Sequence, residues 1–339
     1  MNVHAAAKAA LLLALAACAS PPPSPPAAAP AAAPPLSRFS FTAVHFGNIP
    51  VELCLYAPDA ATAQAAAAAA FARIAALAAM MNDYAYEPPS PLNRIAAEAP
   101  APVPVPSELL SVLARAIELH HITQGAFDIT LKPYVQLWRV SRRLGELPPQ
   151  EHLRAAVRYV DITALQLDAA ASTARLAREG MWLDVGGIAK GYVGDEVLRL
   201  LRARGLPRCS YHAGGDMVFG EAPPGEPGWP VLVPDFPTAD GTGLRFVASN
   251  EAVSVSGDVF RFVEIDGRRY AHVIDPRTGL GVTDRRLTCV RGPRGLDTDA
   301  LATAGLLLDE AAWQAALAQV PGCRGQVARA RQESEVPGQ

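Results

Sequence analysis

The sequence predicts an α+β fold, in which antiparallel sheets pack against helices. Helical and strand patterns are interleaved along the chain, without the repeated strand–helix–strand units of a doubly wound parallel sheet. Short turn sequences, of which Asp266-Gly267 is a strong example, separate neighbouring strand patterns and favour hairpins. The sequence has no internal repeat, and its length suits one large domain or two intimate ones.

The first 18 residues carry the features of an export signal. Lys8 precedes an apolar run, Ala9–Ala17, that is too short to span a bilayer. The run ends in Leu15-Ala16-Ala17-Cys18, which resembles a bacterial lipobox, so residues 1–18 are predicted to be a lipoprotein signal peptide in which Cys18 becomes lipidated. An ordinary signal peptide, cleaved near Ala17 or Ala19, is the alternative.

Composition divides the rest of the chain into three parts. Residues 19–37 are almost wholly Ala, Pro and Ser, which cannot bury a core and favour an extended tether. Residues 38–330 are predicted to form the folded domain, and residues 331–339 a C-terminal tail. A formal net charge of −3 and a pI near 6.2 argue against a nucleic-acid partner. We therefore expect an exported protein on the periplasmic side, lipid-anchored to a bacterial membrane.

The domain begins with a predicted hairpin and an alanine-rich helix. Phe39–Phe46 and Val51–Tyr56 show roughly period-two apolar patterning and flank a turn that contains Gly47. Residues 60–81 are nearly free of charge, but most are Ala, the best helix former. Arg73 lies in the middle of this run, where membrane insertion is costly. A helix of the folded domain is therefore predicted here, and not a membrane span.

Capping residues and apolar periodicity predict the later elements. Ser107 is the expected N-cap of a helix that runs to Gln124, and Gly125 ends it. Pro148-Pro149 precedes a third helix, which runs to about Arg158. Further helices are expected at Ile188–Arg204, Leu296–Leu308 and Glu310–Gln319. The predicted strands, in chain order, are Tyr159–Ile162, Ala174–Leu176, Met181–Val185, Cys209–Ala213, Val231–Val233, Arg245–Ala248, Val253–Ser256, Val259–Ile265 and Arg269–Ile274.

Gly186-Gly187 is the first of four motifs suited to a phosphate-rich ligand. A predicted strand precedes the two glycines and a predicted helix begins at Ile188, so free backbone N–H groups coincide with the positive end of a helix dipole. Lys190 adds a positive charge beside the turn. The motif is neither a Walker loop nor G-x-G-x-x-G, and a tight strand–helix joint is the alternative interpretation.

Two further motifs offer bare backbone and oxygen ligands. Ala213-Gly214-Gly215-Asp216 follows a predicted strand and begins a loop, and its glycines allow a phosphate or a flat ring to approach the backbone. A bulged hairpin is the alternative. Asp299 and Thr303 are four residues apart on a predicted helix, so they share a face on which a carboxylate and a hydroxyl suit Mg²⁺. Asp299 could instead cap the helix, although Asp297 is available for that role.

The fourth motif joins a histidine to a short turn. His272 leads into the sequence Asp275-Pro276-Arg277-Thr278-Gly279, which is a turn by composition. The planar guanidinium of Arg277 suits phosphate, and His272 can move a proton near neutral pH. A lone histidine is usually structural, but the neighbouring residues favour a functional role here.

In this order, the four motifs resemble those of the FAD:protein FMN transferase family, the ApbE-type flavin transferases. The resemblance runs from about Phe39 to Ala328, although Met81–Arg94 follows the family's pattern only loosely. Two more blocks are similar to family motifs: Gly125–Thr130 with Pro133 and Leu137-Trp138, and Ser256-Gly257-Asp258 with Arg261.

The resemblance implies a periplasmic enzyme that takes FAD as substrate and Mg²⁺ as cofactor. It implies transfer of FMN to a Thr or Ser hydroxyl of a target flavoprotein, with release of AMP. The family's metal ligands correspond to the Ala189 carbonyl, the Asp299 carboxylate and the Thr303 hydroxyl. We expect His272 or Asp258 to assist proton transfer. The implied FAD contacts are Asp184, Gly187, Lys190, Gly214, Gly215, Asp216, Ser256, Gly257 and Arg277.

Two other functions fit the same motifs. An Mg²⁺-dependent FAD pyrophosphatase would pass the phosphoryl group to water and give free FMN and AMP. A non-catalytic periplasmic lipoprotein would bind FAD without hydrolysing it. Flavin transfer is favoured because the ordered set of motifs is complete.

Overall fold

An antiparallel sheet of seven strands forms the framework of the domain in the computed structural model, which describes residues 35–234, 236, 241, 243–257 and 262–329. The mixture of helices with antiparallel strands confirms the predicted α+β class. The predicted signal peptide (1–18), most of the predicted tether and the predicted tail (331–339) lie outside the described residues.

Short strands outnumber helices in the described part of the chain. The strands are β1 (Ser37–His45), β2 (Ile49–Ala57), β3 (Val103–Pro104), β4 (Leu165–Asp168), β5 (Thr173–Leu176), β6 (Cys209–Ala213), β7 (Asp216–Phe219), β8 (Trp229–Val233), β9 (Leu244–Ala248), β10 (Ala252–Gly257), β11 (Phe262–Ile265), β12 (Arg268–Ala271), β13 (Arg286–Gly292) and β14 (Arg324–Arg329). The helices are α1 (Ala60–Met80), α2 (Pro91–Ala97), α3 (Ser107–Ile122), α4 (Lys132–Leu144), α5 (Gln150–Ala156), α6 (Ala189–Ala203), α7 (Gly295–Gly305) and α8 (Glu310–Ala318).

The main sheet has the strand order β1-β2-β6-β7-β10-β13-β14, and every neighbouring pair is antiparallel. A second sheet has the order β3-β5-β4, and β8–β9 and β11–β12 are separate hairpins. Asp266 and Gly267 join β11 to β12 with positive φ angles of 50° and 70°, the backbone that this turn sequence favours. The predicted hairpins therefore form, including the first, β1–β2.

Three helices cover one face of the main sheet and carry the largest core. Helix α1 packs on β1 and β2, α6 on β6 and β7, and α7 on β10 and β13. Apolar side chains from these elements form one continuous buried cluster. The β8–β9 hairpin and the opposite face of the sheet share a second cluster, and α4 and α5 pack with β11–β12 in a third. The sheet is thus buried on both faces, with α6 and α7 adjacent.

Helix α1 is long and apolar enough, by length and composition, to cross a membrane, and it is the one such helix among the described residues. Its N-cap is Asp59, whose carboxylate accepts the N–H of Thr62 at 2.7 Å. The face that includes Ala63, Ala70 and Ile74 is buried against the domain. Small alanine side chains let this helix lie close to the sheet, so its apolar character is used in the core.

Three local predictions were wrong. Tyr159–Ile162 is not a strand, because two short 3₁₀ turns occupy Val157–Tyr159 and Ile162–Ala164. Met181–Val185 is not a strand, since it joins no sheet. Ser107 is the first residue of α3 instead of its N-cap, and its hydroxyl donates to the Glu108 carboxylate. The apolar pattern of a segment indicates whether its backbone favours a strand or a helix. It does not show whether a neighbouring strand is in place to pair with that segment.

Candidate functional site

The segment that precedes α6 makes a tight turn at the two glycines. The Asp184 N–H donates to the Ile129 carbonyl at 2.7 Å, which anchors the extended segment. The Gly186 N–H donates to Asp184 Oδ1 at 2.8 Å, and Lys190 Nζ reaches back to the Gly186 carbonyl at 3.0 Å. The turn therefore leads directly into the N-terminal end of α6, as the sequence predicted, where the helix dipole favours an anion.

The motif that contains Gly214 and Gly215 is the turn between β6 and β7, and not the start of a longer loop. Gly214 has a positive φ of 62°. A Cβ atom on Gly215 would lie 2.3 Å from the Val255 carbonyl oxygen on β10, so only glycine fits there. This close packing places Asp216, the first residue of β7, under the N-terminal end of α6, with its Oδ2 3.0 Å from Lys190 Nζ.

Helix α7 brings Asp299 and Thr303 to the same place. Asp299 Oδ2 accepts the Gly191 N–H at 3.2 Å and lies 3.4 Å from Lys190 Nζ. Thr303 lies one turn further along α7, and a Cβ atom on Gly187 would be 3.2 Å from the Thr303 hydroxyl. The two predicted metal-binding side chains therefore face the glycine turn, and the Ala189 residue that would supply the carbonyl begins α6.

Lys190, Asp216 and Asp299 form a charge cluster of two buried carboxylates and one ammonium group, whose side chain is 20% exposed. Burial raises the pKa of Asp299 from 3.8 to about 7, the charge of Asp216 adds to this shift, and Lys190 opposes it. Burial alone would lower the pKa of Lys190, but Asp216 and Asp299 together raise it above its usual value. The ammonium therefore stays charged. Because two carboxylates share this one ammonium group, the cluster favours binding of an additional cation.

The raised pKa of Asp299 predicts how stability depends on pH in the metal-free protein. Between its ordinary value of 3.8 and about 7, the folded state keeps a proton that the unfolded state releases, so Asp299 makes stability fall as pH rises. Asp299→Asn removes this titration. We expect the melting temperature of Asp299→Asn, measured relative to the wild type with chelator present, to increase steadily across that window; a constant difference would contradict the assignment.

Ser256 and Gly257 end strand β10. The Thr288 hydroxyl donates to the Ala302 carbonyl at 2.8 Å and to the Ser256 carbonyl at 3.3 Å, so it connects β13 to both α7 and β10. Asp258, the other residue predicted to assist proton transfer, lies outside the described residues.

The motif that contains Arg277 forms a separate loop at the C-terminal end of α7. Arg277 binds the Asp275 carboxylate, with Nη2–Oδ2 at 2.8 Å, and its side chain is 73% exposed. Its Nη2 also lies 3.5 Å from the Leu307 carbonyl. A cleft of about 390 Å³ is lined by Asp275 and Arg277 together with Leu306 and Leu307. His272 precedes this loop in the chain and is half-buried.

A second charged group, which the sequence analysis missed, lies beside Asp184. Lys132 is fully buried and pairs with Asp83, and Arg139 Nη2 lies 2.8 Å from Asp83 Oδ2 and 3.8 Å from Asp184 Oδ2. Burial, and then the charge of Asp83, raises the pKa of Asp184. Tyr84 stacks over Arg139, with the guanidinium carbon 4.0 Å from the ring centroid. The signal for this group was a lysine within an otherwise apolar block.

The oxygen ligands near the cluster suit Mg²⁺. Within the described part of the chain, no group of three or more His, Cys, Asp or Glu side chains is arranged to hold a metal ion. A cation here would therefore combine one carboxylate with hydroxyl and carbonyl oxygens, the hard ligands that Mg²⁺ prefers alongside substrate phosphates. The surplus negative charge of Asp216 and Asp299 over Lys190 favours such a cation.

Two relatives with curated names are similar to more than half of this chain. Over 238 residues, the chain is 35% identical to the FAD:protein FMN transferase of Treponema pallidum (strain Nichols), covering 66% of each chain. Over 220 residues, it is 30% identical to the protein of the same name from Haemophilus influenzae, covering 62% of each. The match thus spans slightly less than two thirds of these relatives' length.

Solved structures and a family match agree with this similarity. The apo flavinyl transferase ApbE of Pseudomonas stutzeri superposes with a TM-score of 0.73 at 26% identity, covering 84% of this chain and 89% of that one. The ApbE protein of Thermotoga maritima has a TM-score of 0.74 at 21% identity, covering 87% and 97%, and shares the fold. Residues 48–325 match the ApbE family, so the resemblance of the motifs is confirmed and this chain belongs to the ApbE family.

Proposed function

We propose that this chain is an Mg²⁺-dependent FAD:protein FMN transferase. The observation that carries the proposal is the buried cluster of Lys190, Asp216 and Asp299 beside the Gly186-Gly187 turn. A positive helix end, an ammonium group and a carboxylate-rich cation site together suit a pyrophosphate. The names of the Treponema and Haemophilus relatives support FAD as the substrate and a protein as the acceptor.

The proposed reaction moves the FMN half of FAD to a protein hydroxyl. The oxygen of a Thr or Ser side chain attacks the phosphorus of the FMN half and forms a new P–O bond. The bond between that phosphorus and the bridging pyrophosphate oxygen breaks, and AMP leaves with the bridging oxygen. The acceptor hydroxyl loses a proton, so the products are a phosphoester-linked flavoprotein, AMP and one proton.

The residues at the turn bind and orient the pyrophosphate in this proposal. The N-terminal end of α6 and the ammonium of Lys190 face the phosphate oxygens, where fixed dipoles stabilise the charge that develops. The N–H groups of Gly186, Ile188 and Ala189 are bonded within the turn, so the helix dipole acts here instead of those donors. The Ala189 carbonyl, Asp299 carboxylate and Thr303 hydroxyl would hold Mg²⁺, which when bound neutralises phosphate charge. Asp216 keeps Lys190 charged and in place, since the two groups are 3.0 Å apart. The other predicted FAD contacts, including Asp184 and Ser256, stay predictions.

Proton transfer from the acceptor hydroxyl requires a general base. An imidazole can accept a proton near neutral pH, which makes His272 the first candidate for the general base, and Asp258 is the second. His272 is half-buried, so its imidazole is not fully withdrawn from an acceptor.

The proposed function is tested by incubating the purified chain with FAD, Mg²⁺ and a flavoprotein acceptor that offers an exposed Thr. We expect flavin fluorescence that stays with the acceptor on a denaturing gel and disappears with chelator, together with one AMP per transferred flavin. Free FMN and AMP without a fluorescent band would identify an FAD pyrophosphatase. Stoichiometric FAD retention without either product, across several acceptors, would identify a binding protein.

We also propose that lipid on Cys18 anchors the protein to the periplasmic side of a membrane. The Ala/Pro-rich segment that follows Cys18, residues 19–37, would give a reach of about 60 Å at the polyproline rise of about 3.1 Å per residue. Such a reach suits an enzyme whose acceptors are proteins at the same membrane. Cys18→Ala is expected to abolish incorporation of an alkyne-labelled fatty acid and to move the protein out of the membrane fraction; unchanged labelling would contradict the anchor.

A further inference from the structure

Helices α6 and α7 touch through their backbones at the proposed metal site. A Cβ atom on Gly191 would lie 2.0 Å from the Gly295 carbonyl oxygen, and one on Gly295 would lie 2.4 Å from the Gly191 carbonyl oxygen. No side chain fits between the helices at this crossing. Because the Gly191 N–H also binds Asp299, the crossing sets the position of the proposed metal ligand relative to the phosphate turn.

One carboxylate on α6 fixes the first turn of α7 at this crossing. Asp195 Oδ1 accepts the Gly295 N–H at 2.7 Å, and its Oδ2 accepts the Leu296 N–H at 3.0 Å. Both oxygens are therefore used to satisfy two N–H groups that an α-helix leaves unpaired at its start. Asp195 lies one helical turn after Gly191, so the two residues share one face of α6. This face makes both the glycine crossing and the carboxylate bonds to α7.

Helix α7 has no cap of its own in the described part of the chain. The residue before it, Arg294, makes no side-chain capping bond. Asp297, which the sequence made available as a helix cap, pairs with Arg115 on α3 at 2.7 Å and with Arg294 at 3.6 Å. The capping carboxylate comes instead from a residue 100 positions earlier in the chain than Gly295.

We propose that Asp195 is a positioning residue for metal binding, which holds Asp299 at the phosphate turn by fixing the start of α7 to α6. The inference rests on the proposed function, because it assigns Asp195 a role through the proposed ligand Asp299. Asp195 is half-buried and bonds α7 at Gly295 and Leu296, so it acts on the site only by placing the helix. Groups that orient metal ligands without touching the metal commonly change affinity by about 10–100-fold.

Asp195→Asn is the variant that tests the inference, since an amide has one acceptor oxygen where the carboxylate has two. The amide nitrogen would face an N–H group of α7, so one of the two bonds is lost while the size of the side chain is kept. We expect Mn²⁺ binding, followed by the electron paramagnetic resonance signal of the free ion, to weaken about tenfold or more. At saturating Mg²⁺, kcat should stay within about threefold of the wild type, because the ligands themselves are unchanged.

Asp297→Asn is the matched control. It removes a buried carboxylate from the first turn of α7, and this carboxylate pairs with Arg115 on α3 instead of with α6. Its Mn²⁺ affinity should stay within about twofold of the wild type. Equal affinity losses in the two variants, or an unchanged affinity in Asp195→Asn, would overturn the inference. If circular dichroism shows Asp195→Asn to be unfolded, Asp195→Ser replaces it with the same expectation, since a hydroxyl still accepts one N–H bond.

The two proposals fail in different ways in this experiment. A wild type that binds Mn²⁺ but transfers no FMN contradicts the proposed function, while the comparison of affinities still decides the role of Asp195. A wild type that does not bind Mn²⁺ at millimolar concentration overturns the metal-positioning role itself.

Discussion

Asp299→Asn is expected to lower the rate of FMN transfer by about a thousandfold at saturating Mg²⁺, equivalent to about 4 kcal/mol of transition-state stabilisation. Asp299 is the only charged group among the three proposed metal ligands. Its amide counterpart can still accept the Gly191 N–H, which the carboxylate does at 3.2 Å. The variant should therefore fold normally and lose the cation, because a neutral oxygen holds Mg²⁺ far less well.

The measurement is the initial rate of flavin attachment to an acceptor, over a range of Mg²⁺ concentrations. Asp297→Asn is the control, since it removes a neighbouring buried carboxylate that pairs with Arg115. It should retain a rate within about threefold of the wild type, as expected for a residue that does not contact the substrate. If Asp299→Asn keeps more than about a tenth of the wild-type rate, Asp299 is not the principal metal ligand.

Lys190→Met is expected to destabilise the metal-free protein by about 3–5 kcal/mol. The Lys190 ammonium is the positive group that separates Asp216 and Asp299, at 3.0 Å and 3.4 Å from their oxygens. Methionine fills a similar volume but carries no charge, so Asp216 and Asp299 would lose their shared positive partner. The pKa of Asp299, already about 7, would rise further, so holding Asp299 as a carboxylate beside Asp216 would cost more free energy. The measurement is urea unfolding at neutral pH with chelator present.

Two further variants separate this effect from a general loss of packing. Adding Asp216→Asn to Lys190→Met should recover much of the lost stability, because it removes one of the two buried carboxyl groups that have lost their positive partner. Arg94→Met breaks an ion pair with Glu98 whose side chains are 41% and 46% exposed, and should cost less than about 1 kcal/mol. A Lys190→Met variant as stable as Arg94→Met would show that the cluster is not held by its charges.

Mg²⁺ provides an independent check on the same cluster. If the cation binds at Asp299, it should raise the stability of Lys190→Met more than that of the wild type, because it supplies the missing positive charge. Equal stabilisation of the two proteins would place the bound cation elsewhere.

The sequence predicted the local parts of the site well because turns and helix starts depend on neighbouring residues. The Gly186-Gly187 turn leads into α6 as expected, and Asp299 and Thr303 share a face of α7. The α+β class and the first hairpin followed from apolar periodicity and turn residues. Each of these features involves residues close together in the chain, where backbone preference alone decides the outcome.

Arg277 shows that residue type and local turn chemistry do not determine which group a side chain binds. Both suggested a phosphate ligand, but in the structure Arg277 binds Asp275, two residues away, and most of its side chain is exposed. A planar guanidinium pairs with the nearest available carboxylate, and the sequence did not indicate which partner would be closer. Its role toward FAD stays a prediction.

The order of residues along the chain was enough to establish the fold class, the glycine turns and the family motifs. Long-range packing was needed to show that Lys190 lies between Asp216 and Asp299, that Asp195 caps α7, and that Lys132 is buried against Asp83. Lys190 and Asp299 are 109 residues apart, and periodicity shows which face of a helix is buried but not which residues it meets. The contacts of Lys190 and Asp195 with α7 arise when close packing fixes the position of α6 relative to α7. The two glycines at the crossing allow the helix backbones to touch.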